Sequence, residues 1–307
     1  MVHLNKSNIN SYDIMRKIIL IPLFIIIVYQ PRLFAQEDEN LLNTITTPKT
    51  DYESATFKAT RILNGQSIEQ MKEGQLDFRI HHRFGQVNTG SYNLWGLDQS
   101  NVFFGFEYGA TDWMMLGVGR STFDKTFNGF AKFRLWRQSH GETNMPVAIS
   151  AYAGIDAYST AWTDLTRQNY FSSRLAYIFQ AYIARKFTDE FSLQISPTVV
   201  HRNLVTEATD HNDIFSIGIG GRYKLTNRIS FNAEYFYNID KTLEGQTKKP
   251  NSLSFGFDIE TGGHVFQIML TNSVAMIERG FLGDTNGSWS DGGVHLGFNI
   301  SRVFTLY

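Results

Sequence analysis

Leu76-Asp77-Phe78-Arg79-Ile80-His81-His82-Arg83-Phe84 decides how the rest of the chain is read. In an extended strand, Leu76, Phe78, Ile80, His82 and Phe84 share one face, and Asp77, Arg79, His81 and Arg83 share the other. A lone strand of this kind fits any half-buried sheet, but this one opens a series. The alternation returns at Val102, Phe104, Phe106 and Tyr108, and at Met114, Leu116 and Val118. Next come Ala131, Phe133 and Leu135 set against Lys132, Arg134 and Trp136, then Val147, Ile149 and Ala151 after Pro146. It continues through Leu175 to Ile183, Leu193 to Val199, Phe215 to Ile219 and Phe231 to Tyr237. It finishes at Leu253 to Ile259, Phe266 to Leu270 and Leu296 to Ile300. A series of about twelve such strands predicts an all-β fold, a closed up-and-down antiparallel transmembrane β-barrel with its apolar face toward lipid.

The links support this reading because long and tight ones take turns. Long links are expected near 85–100, 121–128, 156–170, 203–213, 239–250 and 274–290, with a medium link near 137–145 among the tight ones. An even strand number puts both chain ends on the side of the tight turns, which in outer-membrane barrels is the periplasm. Pro197 interrupts the seventh strand, and a barrel offers it no free edge, so a bulge is expected there. A soluble two-sheet sandwich also alternates. Against it stand the full charges in mid-strand and the terminal strand ending in Tyr307, although Phe298 and Tyr307 have opposite parity.

The chain is 42% hydrophobic and 14% aromatic, and no apolar run long enough for a transmembrane helix lies past the N-terminus. A net charge of −1 argues against a nucleic-acid partner. With no cysteine there is no disulfide framework and no thiolate nucleophile. Arg16 and Lys17, the apolar stretch Ile18 to Val28, and Ala35 before Gln36 give residues 1–35 the order of a secretory signal peptide. The stretch is too short for a membrane anchor and holds Pro22. Residues 36–74 are polar and weakly patterned, with a short helix expected near Ser67 to Met71. They read either as a periplasmic leader that folds back as a plug or as a disordered tail. Residues 75–307 are the barrel.

Several stretches also carry a resemblance. They are Thr60-Arg61-Ile62-Leu63-Asn64-Gly65-Gln66-Ser67, the first strand through Gly85, Ala184-Arg185-Lys186-Phe187, Ser196 to Asn203, and Gly297 to Phe304. Together they resemble a domain-of-unknown-function family of Gram-negative outer-membrane β-barrel proteins. The resemblance implies a barrel in the outer membrane. It brings no activity and no catalytic residues.

Chemistry is sparse. His81 and His82 are adjacent and point to opposite sides, so they cannot hold one metal together. Asp284, Asn286, Ser288 and Asp291 depart from calcium-loop spacing and lack a closing glutamate. Gly117, Gly119, Gly218 and Gly220 alternate within strands, which suits lumen space or curvature better than a phosphate loop. His201 with a nearby serine could imitate a lipid-active catalytic set, but nothing marks a nucleophile. No catalytic residue, cofactor or metal site is expected.

The inward charges carry the functional hint. The expected lumen set is Asp77, Arg79, His81, Arg83, Glu107, Lys132, Arg134, Arg174, Arg222, Lys224, Glu234, Asp258 and Glu260, with Lys186 and His295 also inward. It reads as a narrow channel for small solutes or ions with a mixed-charge, basic-leaning lining, or as an ion-pair network that fills a non-conducting structural or partner-binding barrel. About twelve strands sit between filled small barrels and open porins, so the lumen should be narrow and easily blocked. The expected partners are outer-membrane lipid, the barrel-assembly machinery, and a periplasmic or membrane partner protein.

Overall fold

The computed structural model describes residues 49–162, 164–166, 168–205, 210–239 and 249–306. The signal-peptide reading and Tyr307 lie outside these residues. Twelve strands follow one another around a closed barrel, every neighbouring pair antiparallel. They are β1 (Gln75–Gln86), β2 (Ser100–Thr111), β3 (Met114–Ser121), β4 (Thr126–Trp136), β5 (Ala148–Tyr158) and β6 (Leu175–Lys186). The second half comprises β7 (Phe191–Arg202), β8 (Asp213–Lys224), β9 (Ile229–Asn238), β10 (Ser252–Thr261), β11 (His264–Thr271) and β12 (His295–Thr305). β12 returns to β1, with Phe298 opposite His82 and Ile300 opposite Ile80, so no edge is left unpaired.

The period-two pattern explains why the sheet closes with this handedness of faces. Phe104, Phe106, Val118, Phe179, Ile195, Phe215, Ile219, Phe257 and Ile268 stand exposed on the outer wall. A continuous apolar exterior of that extent requires hydrocarbon as its solvent. The alternate residues are buried inward. No helix is long and apolar enough to cross a membrane among the described residues.

The links separate the barrel into two ends. The turn end carries 112–113, 187–190, 225–228 and 262–263, together with the longer link 137–147. The loop end carries 87–99, 159–174, 203–212, 239–251 and 272–294. The link expected to be long at 121–128 is a correction, because it shrinks to 122–125. There, Thr122 N–H bonds the Val102 carbonyl and the Thr122 hydroxyl accepts from Val102 N–H, so β3 pairs almost to its tip.

The bulge expected at Pro197 is a second correction. Its register is unchanged on both sides, with Pro197 opposite Ile217 and the flanking pairs Gln180–Thr198 and Ile183–Ile195 in step. The ladder to β6 lapses locally at Ala181 and Tyr182, so the missing donor leaves a gap and no shift. Irregular registers occur instead at Gly109/Thr111, Arg134/Trp136 and His295/Gly297. At the turn end Thr50–Tyr52 pairs with Ser139–Gly141 as a two-stranded ribbon.

Candidate functional site: a lumen closed from both ends

Residues 56–70 run into the barrel from the turn end, reverse, and return to β1. Ile62 N–H bonds the Gly65 carbonyl at 2.9 Å and Ser67 N–H bonds the Thr60 carbonyl at 2.8 Å, which closes a hairpin whose tip is Leu63-Asn64. Arg61 and Gln66 bridge its arms. The helix expected near Ser67 to Met71 is absent because the wall uses these groups. Lys132 Nζ donates to the Ser67 carbonyl at 3.0 Å and to Gln66 Oε1 at 3.1 Å. The Asn64-Gly65 pair was the available signal for this turn, lying between apolar Leu63 and polar Gln66.

Strands all round the wall hold the hairpin. Glu234 on β9 accepts Asn64 N–H at 2.7 Å and Gly65 N–H at 3.1 Å. Gln267 on β11 donates to the Ile62 carbonyl at 2.8 Å, and Asn299 on β12 donates to the Leu63 carbonyl at 3.0 Å. Arg83 on β1 donates to Asn64 Oδ1 at 2.7 Å, and Asn64 Nδ2 reaches Ser254 on β10 at 2.9 Å. Gln194 on β7 donates to the Gln66 carbonyl at 2.8 Å and Arg222 on β8 to the Ala55 carbonyl at 2.8 Å. The Thr60 hydroxyl donates to Glu107 on β2, and Lys58 pairs with Glu260. Gly220 makes room for this insert, because a Cβ there would lie 2.3 Å from Ile62 Cδ1. At Gly109 a Cβ would lie 2.0 Å from the Lys72 carbonyl oxygen, where the returning arm leaves the barrel.

A second insert descends from the loop end. The link 272–294 buries Ser273 and Ala275 to Gly283 and forms α1 (Glu278–Gly283) inside the mouth. Phe281 packs on Phe236 with ring centroids 4.9 Å apart. Met276 and Ile277 pack with Phe103. The two inserts meet at a fully buried ion pair, Arg61 Nη1 to Glu278 Oε1 at 3.2 Å. Arg61 also lies 3.9 Å from Glu107, which is 3.6 Å from Arg79. Arg79 in turn contacts Asp77 at 2.6 Å.

The expected lumen residues divide by position. Asp77, Arg79, His81, Arg83, Glu107, Lys132, Arg222, Glu234 and Asp258 are buried inside the wall. His81 sits against Phe103, 5.2 Å between ring centroids, while His82 stacks on Phe298 of the outer wall at 4.9 Å. Arg134, Lys186, Lys224 and Glu260 lie toward the turn-end mouth. Arg174 is a correction: it precedes β6 in a short 3-10 turn at the loop-end rim. There it donates to the Tyr158 and Thr160 carbonyls and covers Trp162. The basic lean of the expected set thus comes largely from the rims. Asp156, which the sequence did not single out, adds a further buried acid to the wall.

Between the hairpin and the wall at the turn end lies a cavity of about 430 Å³ whose lining includes Glu53, Glu69, Trp113, Arg134 and Arg137. His201 Nδ1 is hydrogen-bonded to Asp213 at 2.6 Å and its ring stacks on Tyr177. No serine hydroxyl is bonded to it among the described residues. No cluster of three or more His, Cys, Asp or Glu converges as a metal site among them either.

No curated protein matches the chain in sequence. Among solved structures, a NanC porin aligns at TM-score 0.46 with 9% identity, covering 75% of this chain and 98% of the porin. A KdgM porin aligns at 0.44 with 8% identity over 75% and 99% of the two chains. The Acinetobacter baumannii outer membrane protein Omp33 aligns at 0.40 with 7% identity over 76% and 100%. Residues 57–304, from inside the hairpin to the last strand, match the family described as membrane bound beta barrel domain (DUF5777), and the chain belongs to that family.

Proposed function

We propose that this barrel is a gated conduit for small solutes or ions in the outer membrane of a Gram-negative bacterium, with the turn end in the periplasm. In the closed state, hairpin 56–70 and loop 272–294 occupy the lumen. One observation carries the reading: the wall binds the hairpin largely through its backbone. Glu234, Gln267, Asn299, Lys132, Gln194 and Arg222 all bond main-chain N–H or carbonyl groups of the insert. Water or a polar solute offers the same donors and acceptors, so withdrawal need not strand a buried polar group. The short turns at the end where the hairpin enters support the periplasmic assignment.

Planar-bilayer recordings test the proposal. The full chain should conduct little. A chain in which residues 56–72 are replaced by a Gly/Ser linker of equal length should show a large increase in single-channel conductance. Silence in both would favour the second reading, a non-conducting barrel. That reading has its own support in the apolar cluster of Leu63, Phe236, Phe281 and Leu282 inside the lumen. A lipid-active enzyme receives less support: Asp213 orients the His201 ring as a catalytic acid would, but no hydroxyl is bonded to His201 among the described residues.

A further inference from the structure

The cavity at the turn end gathers cations that have no anion to pair with. Its volume of about 430 Å³ is that of a small-molecule pocket, and its lining joins two parts of the molecule. Thr56, Gln70 and Lys72 belong to the hairpin and its returning arm, while Trp113, Arg134 and Arg137 belong to the barrel. Arg134 Nη1 donates to the Asp112 carbonyl at 2.7 Å, and the guanidinium makes no ion pair among the described residues. Arg137 lies over the Tyr52 ring, with Cζ 4.3 Å from the centroid, and it too has no ion pair among those residues. Stacking occupies the flat face of a guanidinium and leaves its N–H edge able to donate. Lys72 is exposed at the same opening.

Two of the three acids in this lining are engaged. Glu53 pairs with Lys186 at 3.2 Å and with His140 at 3.3 Å, and Glu69 Oε1 accepts Phe57 N–H at 3.2 Å. The third, Asp112, stands exposed in its turn, so a cation excess remains. Gln70 is buried in the same lining, and neither atom of its side-chain amide has a hydrogen-bond partner. Trp113 supplies an apolar surface: it stacks on Phe133 at 6.1 Å and is still 55% exposed. Carboxylate and phosphate oxygens match the guanidinium fork, and an indole accepts the face of a ring. A bare inorganic anion would leave most of the volume and the indole unused.

We propose that this cavity binds a small ring-bearing organic anion, a carboxylate or a phosphate ester, with its acidic group on Arg134 and Arg137 and its ring against Trp113. The anion touches hairpin and wall at once, so it favours the state in which the hairpin is seated. That consequence rests on the gating proposed above, whereas the binding does not.

The test is calorimetric titration of the full chain in detergent with phenylacetate, phenyl phosphate and benzyl alcohol. At least one of the two acids should bind saturably, and the tighter one names the acidic group. Benzyl alcohol should bind far more weakly. Arg134→Gln and Arg137→Gln should each weaken binding of that acid by about tenfold or more, the cost of a charge-assisted contact. Trp113→Ala should weaken it by about three- to tenfold. Arg185→Gln removes an exposed arginine of the same end that covers Phe187 outside this cavity, and it should bind like the parent chain. Absence of binding by both acids overturns the proposal, as does benzyl alcohol binding equally well or Arg185→Gln weakening the acid as much as Arg137→Gln. Should Arg134→Gln fail to fold, undiminished affinity in Arg137→Gln overturns it equally. In planar bilayers the bound acid should reduce residual openings. Binding that leaves conductance unchanged keeps the site and counts against the gate.

Discussion

The two inserts that meet at Arg61 and Glu278 close one lumen by different chemistry. The hairpin is tied down by hydrogen bonds from side chains on β1, β2, β4 and β7 to β12. The loop-end insert has fewer such bonds to the wall and rests more on apolar packing, with Met276 and Ile277 against Phe103 and Phe281 against Phe236, although Leu63 at the hairpin tip shares the cluster of Phe236 and Phe281. Apolar surface loses favourable free energy when it returns to water, whereas hydrogen bonds can be exchanged for bonds to water at little net cost. Under the proposed gating, the hairpin is the closure expected to move and the loop-end insert the one expected to stay.

The sharpest way to break this comparison is at their junction. Glu278→Ala leaves the Arg61 guanidinium buried without its partner, and Arg61→Ala does the same to Glu278. Each should lower stability by about 3–5 kcal/mol in urea unfolding, because removing one member of a buried pair strands the other. The double variant should lose clearly less than the sum of the two. Strict additivity would mean that the inserts are not coupled through this pair.

Phe281→Ala attacks the apolar packing of the loop-end insert. Loss of a buried aromatic side chain should cost about 3 kcal/mol in the same assay. Amide exchange in the hairpin should change less than in α1, since the hairpin's backbone bonds run to wall side chains such as Glu234 and Asn299 and only the Leu63 side chain shares the Phe281 cluster.

The barrel itself was legible because lipid on one side and a polar interior on the other impose a period of two along every strand. Leu76 to Phe84 already contains that rule, and it set strand number and outer face correctly. Pro197 is a poor guide to register, because its missing donor says nothing about the bonds on either side of it. A ladder can drop a bond without slipping when neighbouring pairs such as Gln180–Thr198 hold the register. The inserts were hidden for a different reason. Their conformation is dictated by wall side chains distant in sequence, as when Glu234 fixes Asn64 or Glu278 meets Arg61, and a local pattern carries no trace of such partners. Asp156 carries no local mark either, because one acid in the alternating run of β5 reads like any other lumen charge.

Glu234→Gln sharpens the comparison from the hairpin side. Glu234 accepts from two consecutive amides, Asn64 and Gly65, and an amide side chain can accept from them with one oxygen only. The expected loss is about 1–3 kcal/mol, concentrated on the hairpin. Hydrogen exchange should show faster exchange at Asn64 and Gly65 with α1 unchanged, and bilayer recordings should show more frequent openings. Equal loosening of α1 would erase the distinction between a mobile and a fixed closure.

The smallest effect should come from Lys58→Ala. Lys58 pairs with Glu260 at the turn-end mouth, where the glutamate side chain is 43% exposed. Solvent screens such a pair, and the expected change is about 0–1 kcal/mol, fading as salt is raised. If the hairpin is retained by its deep backbone bonds, this variant should exchange and conduct like the parent chain. A gate that opened on loss of Lys58 alone would instead place its latch at the mouth. The polar contacts farther in would then be lining that the hairpin happens to touch, and the contrast between the two inserts would have to be redrawn around the rim.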